Sequence, residues 1–245
     1  MARKAEPKFK IVSSSSTWNI NGEYVKFEEQ RLDKVKLPKS FDGTLVIPAE
    51  VTEIARWACQ DLVQIKEVVL HDKIKRLGTE AFAGCTGLEK INIPESVRLL
   101  EEGCFSGCLA LKELHIPANT GLNGHAFIGL PLETKITIDE GNTACIDGDT
   151  ICSKDGQRFI RLRSDVKEFQ VKDGVKIIGQ NAFKYCTTLK KIVLPASIEE
   201  IDHFAFECCI NLTTIVVGSE AVRSLVEEYK KTNVGTYDIV LETPA

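Results

Sequence analysis

Leu77-Gly78-Thr79-Glu80-Ala81-Phe82-Ala83-Gly84-Cys85-Thr86-Gly87-Leu88 returns as Ile178-Gly179-Gln180-Asn181-Ala182-Phe183-Lys184-Tyr185-Cys186-Thr187-Thr188-Leu189. It returns again as Ile201-Asp202-His203-Phe204-Ala205-Phe206-Glu207-Cys208-Cys209-Ile210-Asn211-Leu212. Looser copies run from Leu100 to Leu111, with Cys104 in the Ala slot, and from Gly124 to Leu132, with Leu130 in the Cys slot; Ile54 to Ile65 places Cys59 where Phe is expected. Between these stretches stands a second pattern, apolar-x-apolar-Pro, as in Leu45-Val46-Ile47-Pro48, Ile91-Asn92-Ile93-Pro94, Leu114-His115-Ile116-Pro117 and Ile192-Val193-Leu194-Pro195. His71, Asp139, Lys172 and Gly218 hold the Pro slot in the other copies. The fourth positions fall at 48, 71, 94, 117, 139, 172, 195 and 218, in steps of 23, 23, 23, 22, 33, 23 and 23. Such a register marks a repeat architecture. Each coil offers a short strand with two inward apolar side chains, a Pro that ends the ladder, and a compact turn carrying Ala, Phe, Cys and Leu. A single coil cannot bury those groups, whereas coils stacked at ~4.8 Å align like with like and close a continuous core.

These motifs resemble the BspA-type leucine-rich repeat family, whose coil reads roughly L-x-x-I-x-I-P-x-x-V-x-x-I-G-x-x-A-F-x-x-C-x-x, over about residues 41 to 218. The resemblance implies an α/β-type solenoid, with short parallel strands on a concave side and turns or short helices on the convex side. It also implies an interaction or adhesion role at a cell surface, without catalysis.

The expected domain plan is a flexible tail at 1–17, a capping hairpin at 18–43, a solenoid of about eight coils at 44–218 and a C-terminal cap at 219–245. Asn21-Gly22, between alternating aromatic and aliphatic residues, is a type I′ hairpin signal. The 33-residue step holds ten extra residues, and the Asp-Gly turns near 142–160 predict a small inserted hairpin. After Gly218, Val222, Leu225, Val226 and Tyr229 follow helical spacing behind Ser219-Glu220, with Lys230-Lys231 suited to the helix end. Tyr237-Asp238-Ile239-Val240-Leu241 offers a ninth strand.

Composition sets the outer bounds. The 245 residues are 43% hydrophobic and carry a formal net charge of -4, leaving no basic excess to neutralise phosphates, so nucleic acid is not an expected partner. No run reaches the ~18 apolar residues of a membrane span. The basic start, Arg3, Lys4, Lys8 and Lys10, precedes too short an apolar stretch for a secretory signal, giving a cytoplasmic-looking start against the family's surface habit. The oligomeric state is open.

Four of the nine cysteines, Cys85, Cys108, Cys186 and Cys209, share one slot and predict an inward ladder of buried thiols. No CxxC pair exists for zinc, and Asp147, Asp149 and Asp155 miss the spacing of a calcium loop, so turn chemistry explains them. No cofactor is expected. A hydrolase or metal enzyme using His125 with Asp147, Asp149 or Cys152 is the weakest reading, since no triad or nucleophile motif supports it.

The candidate site is the outer face of the sheet, where alternate residues point away from the core. One column reads Thr44, Glu67, Lys90, Glu113, Lys135, Glu168, Lys191, Thr214, a cross-strand charge ladder. The next reads Val46, Val69, Asn92, His115, Thr137, Gln170, Val193, Val216, with apolar ends around a polar centre. These columns are the expected contact surface for a protein or glycan-bearing partner. The alternative is a structural scaffold that assembles through the inserted hairpin or the terminal helix.

Overall fold

The computed structural model describes residues 7–20, 23–38, 41, 43–122, 124–131, 133–233 and 237–241, without the side chains of 9–29 and 124–125. The chain divides into two compact units, Met1–Leu122 with Gly129–Asn142, and Asn123–Ile128 with Thr143–Ala245. The division falls at the irregular coil, whereas the repeat spacing alone suggests one solenoid from 44 to 218.

The first unit opens on two long strands, β1 (Lys8–Ile20) and β2 (Glu23–Lys36), paired antiparallel with Ile20 opposite Glu23. That register is the one a two-residue loop produces; Asn21-Gly22 itself lies outside the described residues. Strand pairing takes in Lys8–Thr17, which the sequence reads as a flexible tail. The Ser13–Ser16 run shows no apolar pattern, and its order comes from backbone pairing with Gln30 to Phe27.

The coils follow as β3 (Thr44–Val46), β4 (Glu53–Ile54), β5 (Glu67–Val69), β6 (Arg76–Leu77), β7 (Lys90–Ile91), β8 (Leu99–Leu100), β9 (Glu113–Ile116) and β10 (Lys135–Ile138). Two parallel ladders result. The first joins β3, β5 and β7 in register, Leu45 beside Val68 beside Ile91, with β9 and β10 paired likewise. The second joins β2, β4, β6 and β8, aligning Leu32, Ile54, Leu77 and Leu100.

In the second unit β11 (Ala144–Asp147), β12 (Thr150–Ser153) and β13 (Arg158–Leu162) form an antiparallel meander. The expected hairpin is thus three strands, because the chain turns twice, with Gly148 at φ 57° and Gly156 at φ 70° supplying the left-handed turn residues. Then come β14 (Glu168–Gln170), β15 (Ile177–Ile178), β16 (Lys191–Leu194), β17 (Glu200–Ile201), β18 (Thr214–Val217), the helix α1 (Glu220–Thr232) and β19 (Asp238–Leu241). The first ladder here is β14-β16-β18-β19, and the second runs from β13 through β15 to β17. The ninth rung is therefore present.

The architecture of each unit is a parallel β-solenoid, and the α/β expectation holds in part, the one α-helix among the described residues being α1. In the described coils the residues between the rungs run as tight turns rather than as helices. Among the described residues the only other helical turn is the 3-10 segment Gly124–Phe127. In α1, Ser219 accepts from the Val222 N–H at 3.3 Å as N-cap, and Val222, Val226 and Tyr229 are buried.

The cores are columns of like residues. Phe82 and Phe105 stack at 6.0 Å in the first unit; in the second, Phe159, Phe183 and Phe206 stack at 4.8 and 5.4 Å. The Cys slot does more than fill space. The Cys85 thiol donates to the Cys59 carbonyl at 3.0 Å, Cys108 to the Phe82 carbonyl at 3.3 Å and Cys209 to the Phe183 carbonyl at 2.9 Å. Each thiol thereby meets a carbonyl of the preceding coil while its sulfur packs as a small hydrophobe. Burial raises the Cys85 and Cys209 thiols to about 12, so they stay protonated. Hydroxyls do similar work: Ser96, Thr120, Thr134 and Ser197 donate to Ile74, Val97, Leu111 and Val175 carbonyls at 2.7 to 2.9 Å.

One charge cluster stiffens the second ladder of the first unit. Arg76 lies between Glu53, at 3.3 Å, and Glu101, which also accepts from the Thr79 N–H and hydroxyl at 2.8 and 2.9 Å. Burial alone would raise the Glu101 carboxyl, but the hydrogen bonds from Arg76 and Thr79 and the guanidinium charge outweigh it and hold the group below its ordinary range. A depressed carboxyl stabilises the fold above its unfolded value near ~4.3 and loses that contribution as pH falls through the folded value. Glu101→Gln should therefore cost about 1 kcal/mol at neutral pH for this partly exposed group, with the gap closing in denaturant melts below about pH 4. A gap that stays constant with pH would refute this assignment.

Candidate interaction surface

In the first unit, Thr44, Glu67 and Lys90 lie in register on β3, β5 and β7. Glu67 accepts from the Thr44 hydroxyl at 3.3 Å and pairs with Lys90 at 3.2 Å. In the second unit Lys191 pairs with Glu168 at 3.3 Å. These contacts are exposed and worth no more than about 1 kcal/mol each. Glu113 and Lys135 are exposed and stand opposite each other on β9 and β10.

The neighbouring column separates into parts with different duties. Val46 and Val69 are 60% and 37% exposed, side by side on β3 and β5. Asn92 is exposed, but its amide is spoken for: Oδ1 accepts from the Leu70 N–H at 2.9 Å and Nδ2 donates to the Leu70 carbonyl at 2.8 Å. The side chain thus takes the place of a ladder bond just beyond β7. His115 and Thr137 pair across β9 and β10 at 3.1 Å, with Asp139 3.4 Å from the other ring nitrogen. In the second unit Gln170, Val193, Val216 and Val240 are in register on β14, β16, β18 and β19. Val240, 47% exposed, lengthens the aliphatic row by a residue the repeat spacing does not count.

The residues weighed for chemistry have structural employment. His71, in the Pro slot, donates through Nε2 to the Pro48 carbonyl at 2.9 Å and accepts from the Lys73 N–H at 3.3 Å. Asp147 pairs with Lys172, and Asp155 accepts from the Ser153 hydroxyl at 2.5 Å and the Gln157 N–H at 3.0 Å. Among the described residues no three His, Cys, Asp or Glu side chains converge as a metal site would require. The side chain of His125 lies outside the described ones.

Sequence reasoning missed a second set of exposed apolar residues, on the turns. Trp57, Tyr185 and Phe204 are 42%, 53% and 46% exposed, with φ of 59°, 63° and 60°. A bulky residue in the left-handed region costs about 1 kcal/mol or more, and Gly84, Gly107 and Gly129 hold the slot of Tyr185 in other coils. The signal was present: aromatic residues stand where the other copies carry Glu80, Asn181 or Gly. Trp57 is held by Arg56, 3.9 Å over its ring, and by a 2.7 Å bond from Nε1 to Glu80.

With these ladders and slots established, the comparison with known families has a physical counterpart. The model of the BspA type leucine-rich repeat region matches six copies, over residues 40–147 and 159–233. The chain belongs to this family. The BspA-type repeats account for the Pro-terminated rungs and the Ala-Phe-x-x-Cys turns, and the stretch between the two matched segments, 148–158, falls in the meander. Similar solved structures include the T. pallidum leucine-rich repeat protein TpLRR, at 21% identity, 77% of this chain, 63% of that one and a TM-score of 0.34. The pneumococcal vaccine antigen PcpA matches at 13% identity over 99% of this chain and 98% of that one, TM-score 0.49. A leucine-rich cell surface protein of Faecalibacterium prausnitzii matches at 16% identity over 98% and 96%, TM-score 0.41. The BspA-type chain spans less than two thirds of the T. pallidum protein. No curated protein sequence matches it. Among the described residues no helix is long and apolar enough to cross a membrane.

Proposed function

We propose that this BspA-type repeat protein is a non-catalytic interaction module that binds a protein partner on the outer faces of its first ladders. The observation that carries the reading is the in-register aliphatic row, Val193, Val216 and Val240 beside Gln170, with Val46 and Val69 as its counterpart in the first unit. Val46, Val69 and Val240 are exposed and Val193 and Val216 half-buried, and such β-branched residues stacked on neighbouring strands give a partner apolar anchors. The flanking Glu67, Lys90, Lys191 and Glu168 give it charges to match. His115 and Thr137 add hydrogen-bonding groups, while Asn92 contributes shape only, its amide being occupied. The family's habit extends the proposal to adhesion at a cell surface.

On this reading, Val69→Asp and Val193→Asp together lower partner affinity at least ten-fold, about 1.4 kcal/mol, while the protein stays folded with a stability loss of no more than about 2 kcal/mol. The measurement is quantitative capture from host lysate and from the surface fraction, followed by titration of the captured protein. Unchanged binding by the double variant rejects these faces.

A second reading, a scaffold joined through the insertion, has one observation in its favour: Ile146 on β11 is 40% exposed. Loss of assembly in Ile146→Asp with the Val variants intact would select it. In either case the hairpin β1–β2 and the pair α1 and β19 act as end caps, since β2 lies along β4 and α1 buries Val222, Val226 and Tyr229.

A further inference from the structure

Of the nine cysteines, Cys145 and Cys152 stand apart. They lie outside the repeat slots, on the inserted meander, and face each other directly across β11 and β12. Their sulfurs are 3.5 Å apart. Each also points at a backbone carbonyl, but only at 3.8 and 3.9 Å, so unlike the slot thiols neither is held by a short bond to a carbonyl. Both are partly exposed, whereas Cys59, Cys85, Cys104 and Cys108 are buried.

The strand register permits a bond between them. Lys154 N–H donates to the Thr143 carbonyl at 2.8 Å, two residues outward from the pair, so by antiparallel alternation Cys145 and Cys152 occupy a hydrogen-bonded position. Cα atoms at such positions are about 5.5 Å apart, within the ~4.4–6.8 Å that a disulfide spans. Side-chain rotation with a small local closing of the two strands would bring the sulfurs to bonding distance, since Cβ atoms at such positions stand slightly wider apart than a disulfide spans.

We propose that Cys145 and Cys152 are a redox-modification site, a dithiol that a low-molecular-weight disulfide such as oxidised glutathione converts reversibly to a cross-strand disulfide. In the first step a thiolate of the pair attacks one sulfur of the oxidant, forming a mixed disulfide and expelling one thiolate. In the second its neighbour attacks the protein sulfur of that mixed disulfide and expels the other. The two cysteines lose two protons and two electrons, and the oxidant leaves as two thiols. Burial, together with the bond and charge of Cys145, raises the Cys152 thiol to about 12, and capping Cys145 lifts the part that Cys145 imposes.

Both residues fall in one tryptic peptide, 136–154, which makes the test direct. The native protein is treated with oxidised glutathione, alkylated, digested and weighed, alongside Cys145→Ser, Cys152→Ser and Cys208→Ser. The expected result is a peptide lighter by two hydrogens, without adduct, its doubly alkylated form reduced on the order of ten-fold and restored by dithiothreitol. Cys152→Ser should trap glutathione on Cys145, and Cys208→Ser should behave as the intact protein. A stable glutathione adduct on the intact peptide, or both cysteines remaining fully alkylatable, would overturn the proposal.

Discussion

Phe183→Ala is expected to remove about 3–5 kcal/mol from the stability of the second unit. The ring is fully buried and lies between Phe159, 4.8 Å away and nearly parallel, and Phe206 at 5.4 Å, with Phe169 tilted against it at 6.0 Å. Removing it opens a cavity in the middle of a column whose neighbours are anchored by backbone ladders on both sides. They cannot collapse into the gap, which places the cost toward the upper part of that range. Phe183→Leu, which keeps most of the volume but loses the stacking, should cost on the order of 1–1.5 kcal/mol. Guanidinium melts followed by circular dichroism measure both. A loss below about 1 kcal/mol for the alanine variant would mean that the aromatic column does not carry the unit's core.

Asn142→Leu should cost about 1–3 kcal/mol in the first unit, although it replaces a polar residue by an apolar one of similar size. Asn142 is 2% exposed, and its Nδ2 donates to the Pro117 and Thr120 carbonyls, both at 2.8 Å. Leucine would leave the Thr120 carbonyl facing hydrocarbon and the Pro117 carbonyl with only the Thr120 N–H at 3.2 Å, and the penalty for the lost buried bonds exceeds the gain from apolar burial. Asn142→Asp should fare no better, because a carboxylate cannot donate to either carbonyl. The same melts decide, and a leucine variant as stable as the native chain would show that water reaches those carbonyls.

The rungs were legible because three residues with two inward aliphatics and a following Pro leave little else to form. The second ladder was not, since a two-residue strand such as Arg76–Leu77 shows one inward side chain and no alternation. The third strand of the meander was hidden for a related reason: Arg158–Leu162 closes the insertion on β12 and is also the first rung of the second ladder beside β15, a ladder that the Pro-terminated pattern does not mark. On the candidate faces, the pattern gave the side each residue occupies but not what its polar atoms do. Asn92 and His71 look like free surface groups in sequence, yet each is bound to the backbone of the coil before it. The aromatics at Tyr185 and Phe204 are hidden in the sequence because the repeat marks their slots only as turn positions.

The coil length has a mechanical corollary. Most side-chain bonds within the repeats span 22 to 26 residues, from the Asn92 amide on Leu70 to the Cys209 thiol on Phe183, so they tie one coil to the next. Arg158 to Asp202, 44 residues apart, reaches further. Under tension at its ends such a unit offers its bonds in series, one rung at a time, as a zipper does. It should give a train of small force steps under tension, and a protease that opens a terminal coil should trim inward coil by coil.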